Sequence, residues 1–112
     1  MITEDYVSFK SAKLLKEKGF DEPCWRKVSR GFISDILVKE ASEEPSYPQP
    51  TIAMAMKWLR EKHKITIGIL FKEDRIYYEI HRNNEFVFGV DTPEPYEKVC
   101  DEAIKYCLEF LI

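Results

Sequence analysis

The sequence predicts a single α+β domain whose helices pack on one side of an antiparallel sheet. Three segments with helix-start signals carry apolar residues at helical spacing, and runs rich in β-branched and aromatic residues lie between the second and third segments. The length of 112 residues and the 45% hydrophobic content suit one globular domain. We expect a helix and hairpin over residues 1–44, a proline-rich connector over 45–50, and an α-β-β-β-α unit over 51–112.

The first helix has both a start and a stop signal. Ser8 can cap a helix that runs from about Phe9 to Lys18, and Gly19 suits the left-handed residue that closes a helix. The lysines of this segment lie on the side opposite its apolar residues, which is typical of a solvated face.

A hairpin is predicted after this helix. The strand-like runs 24–28 and 32–38 flank the turn sequence Ser29-Arg30-Gly31. A short helix over about 35–40, capped by Ser34, remains open as the alternative.

The second helix is predicted from Ile52 to about His63, with Thr51 as its cap. Its apolar residues form two stripes, because Met54 and Trp58 lie more than about 100° from the main one. We therefore expect either a helix sandwiched between the sheet and the N-terminal third, which we favour, or a patch that faces a partner.

Three strands are predicted over Ile65–Phe71, Ile76–His81 and Phe86–Val90. With a four-residue first loop, the first two strands align Phe71 with Ile76, Ile69 with Tyr78 and Ile67 with Ile80. The other face then carries Thr66, Gly68, Leu70, Tyr77, Glu79 and His81.

The face of the third strand stays open. A second loop of four residues sets Phe86, Phe88 and Val90 on the face of Tyr77 and His81, and a loop of three sets them on the face of Ile80. An aromatic outer face could stack bases or bind a partner. We expect the N-terminal third to cover it instead.

The last helix is predicted with Thr92 as its cap, Pro93 in its first turn, and the acidic Glu94 and Glu97 at its positive end. Apolar residues recur along it at spacings of three and four. They are Tyr96, Val99, Cys100, Ala103, Ile104, Cys107, Leu108 and Leu111.

Neither a catalytic set nor a metal or cofactor site is expected. Cys100 and Cys107 are too far apart on one helix for a disulfide, and the sequence has no cysteine or histidine pattern with metal spacing. Four glycines form no phosphate-binding loop. An enzyme would require that the fold set His63 or His81 beside a cysteine or carboxylate in a deep cleft.

We expect a cytoplasmic protein without a membrane span. No apolar run approaches the roughly 18 residues that a spanning helix needs, and the acidic N-terminus has no signal-peptide pattern. The net charge of −3 argues against general affinity for nucleic acid backbones.

Protein contacts are the expected mode of action, with self or another protein as partner. The candidate partner surface consists of Met54, Trp58, Tyr77, His81 and Phe88. The alternative is nucleic acid binding by residues 57–82, which contain seven basic and four acidic residues. Its candidate contacts are Lys57, Arg60, Lys64, Arg75 and Arg82.

The element order of residues 51–112 resembles that of double-stranded-RNA-binding domains. That family binds phosphates through a lysine cluster, whereas the corresponding turn in this chain, residues 91–97, is acidic. The strand followed by Gly89, Thr92 and an acidic helix is similar to the end of HicB-type antitoxins.

A third resemblance covers almost the whole chain. It is carried by Tyr6-Val7-Ser8-Phe9 with residues 12–22, by Pro50-Thr51 with residues 56–61, and by residues 102–109. These segments look like a family of small proteins from prophages and mobile elements of Bacteroides-type gut bacteria. The resemblance implies a genomic setting for an accessory protein and no particular reaction.

Overall fold

The computed structural model describes residues 5–22, 27–29, 32–34 and 47–112. The helices are α1 (Phe9–Glu17), α2 (Ile52–His63) and α3 (Tyr96–Phe110). The strands are β1 (Lys27–Ser29), β2 (Phe32–Ser34), β3 (Tyr47–Pro48), β4 (Ile65–Phe71), β5 (Ile76–Arg82) and β6 (Glu85–Thr92). Two antiparallel sheets have the strand orders β2-β1-β3 and β4-β5-β6. Helices pack on the second sheet, so the predicted α+β class is confirmed.

Helix α1 has the predicted caps at both ends. The Ser8 hydroxyl accepts a hydrogen bond from the backbone N–H of Ser11 at 3.2 Å. At the other end Gly19 takes a φ of 98°, and the N–H of Phe20 donates to the carbonyl of Leu15 at 2.9 Å. Because the chain reverses here, Phe20 and Leu15 both enter the core.

The small sheet contains the predicted hairpin and also a strand from the connector. Strands β1 and β2 pair antiparallel, with Val28 opposite Ile33, which agrees with the predicted strand at 32–34, while the alternative helix over 35–40 falls on residues that are not described. Residues 24–26, 30–31 and 35–46 lie outside the described part of the chain. The end of the connector is not merely a spacer, because Tyr47 pairs with Val28.

Helix α2 begins and ends as predicted, and its second apolar side is covered. The Thr51 hydroxyl accepts from the N–H of Met54 at 3.1 Å, which confirms the cap. Trp58 is only 6% exposed and meets the rings of Phe20 at 5.6 Å and His63 at 4.8 Å, both edge-to-face. The N-terminal third therefore shields this helix from one side, which is the sandwich that the sequence favours.

Strands β4 and β5 align in the predicted register. Phe71 pairs with Ile76, and the four-residue turn between the strands is closed by a hydrogen bond from Lys72 N–H to the Arg75 carbonyl at 2.8 Å. The two side-chain alternations therefore agree along the whole pairing. One face of the sheet, called the inner face below, carries Ile67, Ile69, Tyr78, Ile80, Phe88 and Val90, all in or against the core.

The connection to β6 corrects both predicted loop lengths. The turn has only two residues, Asn83 and Asn84, with φ values of 53° and 66°. The pairing then shifts between Ile80 and His81. This bulge divides the predicted set, because Phe88 pairs with Ile80 and Val90 with Tyr78 on the inner face, whereas Phe86 pairs with His81 on the opposite one.

Helix α3 begins later than the Thr92 cap predicts. Thr92 is the last residue of β6, its hydroxyl accepts from the N–H of Glu94 at 3.2 Å, and the helix is preceded by Pro95, which makes no side-chain cap. Prolines disfavour helical conformation in the residue before them, so Pro93 and Pro95 delay the helix. The predicted buried stripe is confirmed for Val99, Cys100, Ala103, Ile104, Cys107 and Leu108.

The described part of the N-terminal third lies with the helices. Helix α1 contacts α3 and β3, and Phe9 meets Tyr47 edge-to-face at 5.7 Å. The expectation that this third covers the far face of the β4-β5-β6 sheet is therefore not met by its described residues. None of the described helices has the length and apolar character needed to cross a membrane.

Candidate functional site

The face of the β4-β5-β6 sheet opposite the core, called the outer face below, consists of three cross-strand rows. The rows are Leu70, Tyr77 and Asp91; Gly68, Glu79 and Gly89; and Thr66, His81 and Phe86. Alternation along β4 and β5 turns these side chains away from the helices, and the bulge in β6 brings Phe86 to the same side. The outer face thus combines aromatic groups at its ends with a carboxylate at its centre.

The central group is Glu79, which contacts two neighbours on its own strand. The Tyr77 hydroxyl donates to Glu79 Oε2 at 3.3 Å, and His81 Nε2 lies 3.4 Å from Glu79 Oε1. Phe86 meets the His81 ring edge-to-face at 5.8 Å. Partial desolvation and then the negative charge of Glu79 raise the pKa of the Tyr77 hydroxyl, so this group stays a hydrogen-bond donor at neutral pH.

Glycines lie on both sides of Glu79 in the outer face and determine its surface shape. A Cβ atom at Gly89 would collide with the Tyr77 hydroxyl and would lie 3.3 Å from the Phe86 ring, so both rings lie over this glycine. Of the described residues, a Cβ at Gly68 would meet only Glu79, with its side-chain Cγ at 3.7 Å. The face is therefore filled by aromatic rings over Gly89, whereas at Gly68 the nearest described side chain is that of Glu79.

Two cations pair with the single carboxylate of Asp91 at one end of the outer face. Lys72 Nζ lies 3.3 Å from one Asp91 carboxylate oxygen, Arg75 Nε lies 3.2 Å from the other, and Lys72 also lies 5.2 Å from the centre of the Tyr77 ring. Desolvation opposes ionisation of Asp91, but the hydrogen bonds and charges of the two cations outweigh it, and the pKa of Asp91 is lowered. Arg75 is therefore committed to an intramolecular ion pair.

The histidine and carboxylate on this face lie in the open. His81 stands beside Glu79, as an acid-base pair would, yet both side chains are partly exposed on a sheet surface rather than enclosed in a cleft. Among the described residues, His81 thus lies beside a carboxylate, as the enzyme hypothesis requires, but not in a deep cleft. Among the described residues no three His, Cys, Asp or Glu side chains form a group that could hold a metal ion.

The predicted partner surface is divided between two sides of the molecule. Tyr77 and His81 lie together on the outer face. Phe88 lies on the inner face and stacks on Tyr106 at 4.3 Å, and Met54 and Trp58 lie on α2. The sequence places Leu70 and Glu79 on the outer face, although neither was selected as a site residue. The position of Phe86 on this face could not be predicted, because it depends on the bulge in β6.

The candidate nucleic-acid contacts are likewise dispersed. Arg60 and Lys64 line a shallow polar cleft of about 330 Å³ with Thr66, Asn83 and Asn84. Lys57 lines another cleft, which Glu22 and Glu61 share. Arg82 is exposed at the end of β5, and Arg75 is at the far end of the sheet with Asp91. The structure thus brings together two of the five.

Comparison with known proteins leaves the fold and the site to be interpreted from their own geometry. The chain matches no protein-family model, no curated protein and no solved structure.

Proposed function

We propose that this chain is a non-catalytic accessory protein that binds another protein through the outer face of its β4-β5-β6 sheet. The observation that carries the proposal is the exposure of large apolar side chains around the Glu79 carboxylate. Leu70 is 54% exposed and Phe86 is 59% exposed, at opposite ends of this face.

Burial of these side chains would supply free energy of binding. Covering a large apolar side chain contributes roughly 1.5 to 3 kcal/mol. Tyr77 adds an aromatic group of the kind enriched at interface hot spots, and it is already held by its hydrogen bond to Glu79. The entropy lost when a partner binds is lower for such a pre-positioned ring.

The chemistry of the outer face indicates what the partner must offer. Asp91 is paired with two cations, whereas Glu79 lies beside Gly68, which has no side chain to cover the carboxylate. A carboxylate in such a position favours a lysine, an arginine or another hydrogen-bond donor, with apolar groups on either side of it. We therefore propose a protein surface of that composition as the ligand.

The proposed biological setting is a prophage or mobile element in a Bacteroides-type host. It rests on the sequence resemblance in the segments around Tyr6–Phe9, Thr51 and residues 102–109. An accessory role is compatible with a binding face that lacks an enclosed substrate site.

Site-specific photocross-linking in the host tests this proposal. A photoreactive phenylalanine analogue replaces Phe86 on the outer face, and in a matched variant it replaces Phe110 on α3, which is 67% exposed. We expect a discrete adduct with one host protein from position 86 and none with that protein from position 110. A second comparison uses Leu70→Ser in the position-86 background, which should weaken that adduct.

The proposal fails if position 86 yields no adduct of defined mass. It also fails if position 110 captures the same protein equally well, because the contact would then not be specific to the outer face.

Nucleic acid binding is retained as a second candidate because the described residues that line the Arg60–Lys64 cleft include no acidic one. Two features oppose it. Glu79 and Asp91 lie on the outer face, and Glu94 and Glu97 precede or begin α3. Binding of short RNA or DNA should fall steeply with salt and be lost in Arg60→Ala/Lys64→Ala if this candidate is correct. No binding at low salt excludes it.

A further inference from the structure

Strand β4 lies at an edge of its sheet and carries no charge. Residues Ile65–Phe71 include no Lys, Arg, Asp, Glu or Pro, and among the described residues β4 pairs only with β5. The backbone N–H of Lys72 and the carbonyl of Lys64 both bond toward β5. Because these groups alternate along a strand, the odd-numbered residues from 65 to 71 direct their N–H and C=O groups away from the sheet.

The opposite edge of the same sheet is protected. Strand β6 carries Glu85 and Asp91, and its pairing with β5 is irregular near its start. Charges and bulges are the usual means by which edge strands avoid pairing with another chain. Strand β4 has none of them, and Phe71 at its end is 69% exposed.

We propose that β4 pairs antiparallel with β4 of a second copy of this chain, so that one sheet continues across a homodimer. Gly68 is the middle residue of the strand, and pairing about it gives complete overlap. Ile67 then lies opposite Ile69 of the second copy, and their outward backbone groups form a hydrogen-bonded pair. Phe71 lies opposite Ile65 of the second copy.

The charges at the two ends of β4 favour a second copy as the occupant. Residues 60–64, before the strand, carry Arg60, Lys62 and Lys64 against the single acidic Glu61, and the turn after the strand contains Glu73 and Asp74. Both cations of that turn are bound to Asp91, so the turn acts as an acidic end. Antiparallel pairing sets the basic end of each copy beside the acidic end of the other, and the twofold symmetry repeats this attraction.

This inference goes beyond the proposed function and does not depend on it. The dimer is held by the edge of the sheet, whereas the proposed partner binds its outer face. A dimer would place the two outer faces side by side. If the wild-type protein is a monomer and still cross-links to a host protein through position 86, that result refutes the dimer and leaves the proposed function intact.

The mass in solution is the first test. Light scattering over a range of concentrations should give twice the chain mass of 13.3 kDa. The variant Gly68→Lys should remain a monomer, because opposite residues near the twofold axis lie about 4.5 Å apart between Cα atoms and both would carry a positive charge.

Gly68→Lys is chosen because the single chain should tolerate it. Among the described residues, the atom nearest to a Cβ at Gly68 would be Glu79 Cγ at 3.7 Å, so the added side chain has room. Glu79 is also the direct cross-strand neighbour, so the new positive charge would lie beside a negative one. Val87→Lys is the matched control, because it adds the same charge at an exposed position of the protected edge. We expect the control to remain dimeric.

Hydrogen exchange of the β4 amides is the second test. The amides of Ile67 and Ile69 should be protected in the dimer and should lose that protection when the dimer dissociates on dilution, whether or not Gly68→Lys folds. A wild-type mass of 13.3 kDa at all concentrations overturns the proposal. The proposal is also overturned if Gly68→Lys folds and is still a dimer. Protection of these amides that persists in the monomer overturns it too, because another segment of the same chain would then pair with β4.

Discussion

At the scale of single residues, the described cysteines serve packing. Cys100 and Cys107 are completely buried on α3. Burial raises the pKa of both thiols, that of Cys107 to about 12, so neither forms a reactive thiolate at neutral pH. This agrees with the interpretation of these residues as small apolar side chains.

Thiol labelling should therefore report unfolding rather than surface chemistry. In Cys24→Ser, Cys100 and Cys107 are the remaining thiols, since the chain has three cysteines. We expect Ellman's reagent to label neither at about pH 8 in the folded protein and both in denaturant. Rapid labelling without denaturant would contradict the burial of α3.

Asp91 makes a pH-dependent contribution to stability. Its pKa in the folded protein lies below the ordinary value of 3.8, so its ion pairs with Lys72 and Arg75 stabilise the fold above that pH. The contribution is lost as the pH falls through the lowered pKa. Asp91→Asn should therefore be less stable than wild type near neutral pH and no less stable at the acidic end.

Urea denaturation at several pH values measures this difference. The control is Asp74→Asn in the adjoining turn, which removes a charge without touching Asp91. Equal losses in the two variants at neutral pH would show that net charge, rather than the ion pairs of Asp91, governs the effect.

At the scale of elements, the turn between β5 and β6 determines which side chains reach the outer face. Asn83 and Asn84 adopt left-handed backbone conformations that suit a two-residue hairpin turn. The bulge that follows separates Phe86 from Phe88, which would share a face in a regular strand. The aromatic end of the proposed binding face therefore depends on this connection.

Substitution of Asn84 tests the turn. Asn84→Ala should destabilise the protein by about 1 kcal/mol, because a left-handed conformation is costly for a residue with a Cβ and no compensating side-chain hydrogen bond. Asn84→Gly should be as stable as wild type or more so, since Asn-Gly is a preferred pair for this turn. Chemical denaturation midpoints distinguish the two, and equal losses would contradict the assigned backbone conformation.

At the scale of the whole molecule, Trp58 joins the N-terminal third to the α-β-β-β-α unit. It packs against Phe20 beyond the end of α1 and against His63 on its own helix. A second link is made by the backbone N–H of Ser8, which donates to Oδ1 of Asp101 on α3 at 2.8 Å. These contacts make the two parts of the chain one packed structure.

Trp58→Ala should be severely destabilising. Removing a buried tryptophan costs roughly 3 to 5 kcal/mol, a large part of the 5 to 15 kcal/mol that stabilises a typical domain. Met54→Ala on the same helix should cost less, because Met54 is only half-buried. Denaturation followed by circular dichroism compares them, and a loss of under about 1 kcal/mol for Trp58→Ala would contradict the sandwiched helix.

Much of the fold could be predicted from residues close together in the chain. The caps at Ser8 and Thr51 and the register of β4 with β5 follow from short-range hydrogen bonds and from alternation, which neighbouring residues specify. Six of the nine outer-face residues could be predicted in the same way, because those of β4 and β5 lie on an unbroken alternation.

Other features required the tertiary structure. The bulge that moves Phe86 to the outer face depends on how β6 meets β5, and the late start of α3 depends on where the chain leaves the sheet after Thr92. The sequence alone determined the three helices and the three strands of the β4-β5-β6 sheet, because caps and alternation act over a few residues. Only the tertiary structure decided which apolar surfaces are covered, because packing joins residues far apart in the chain.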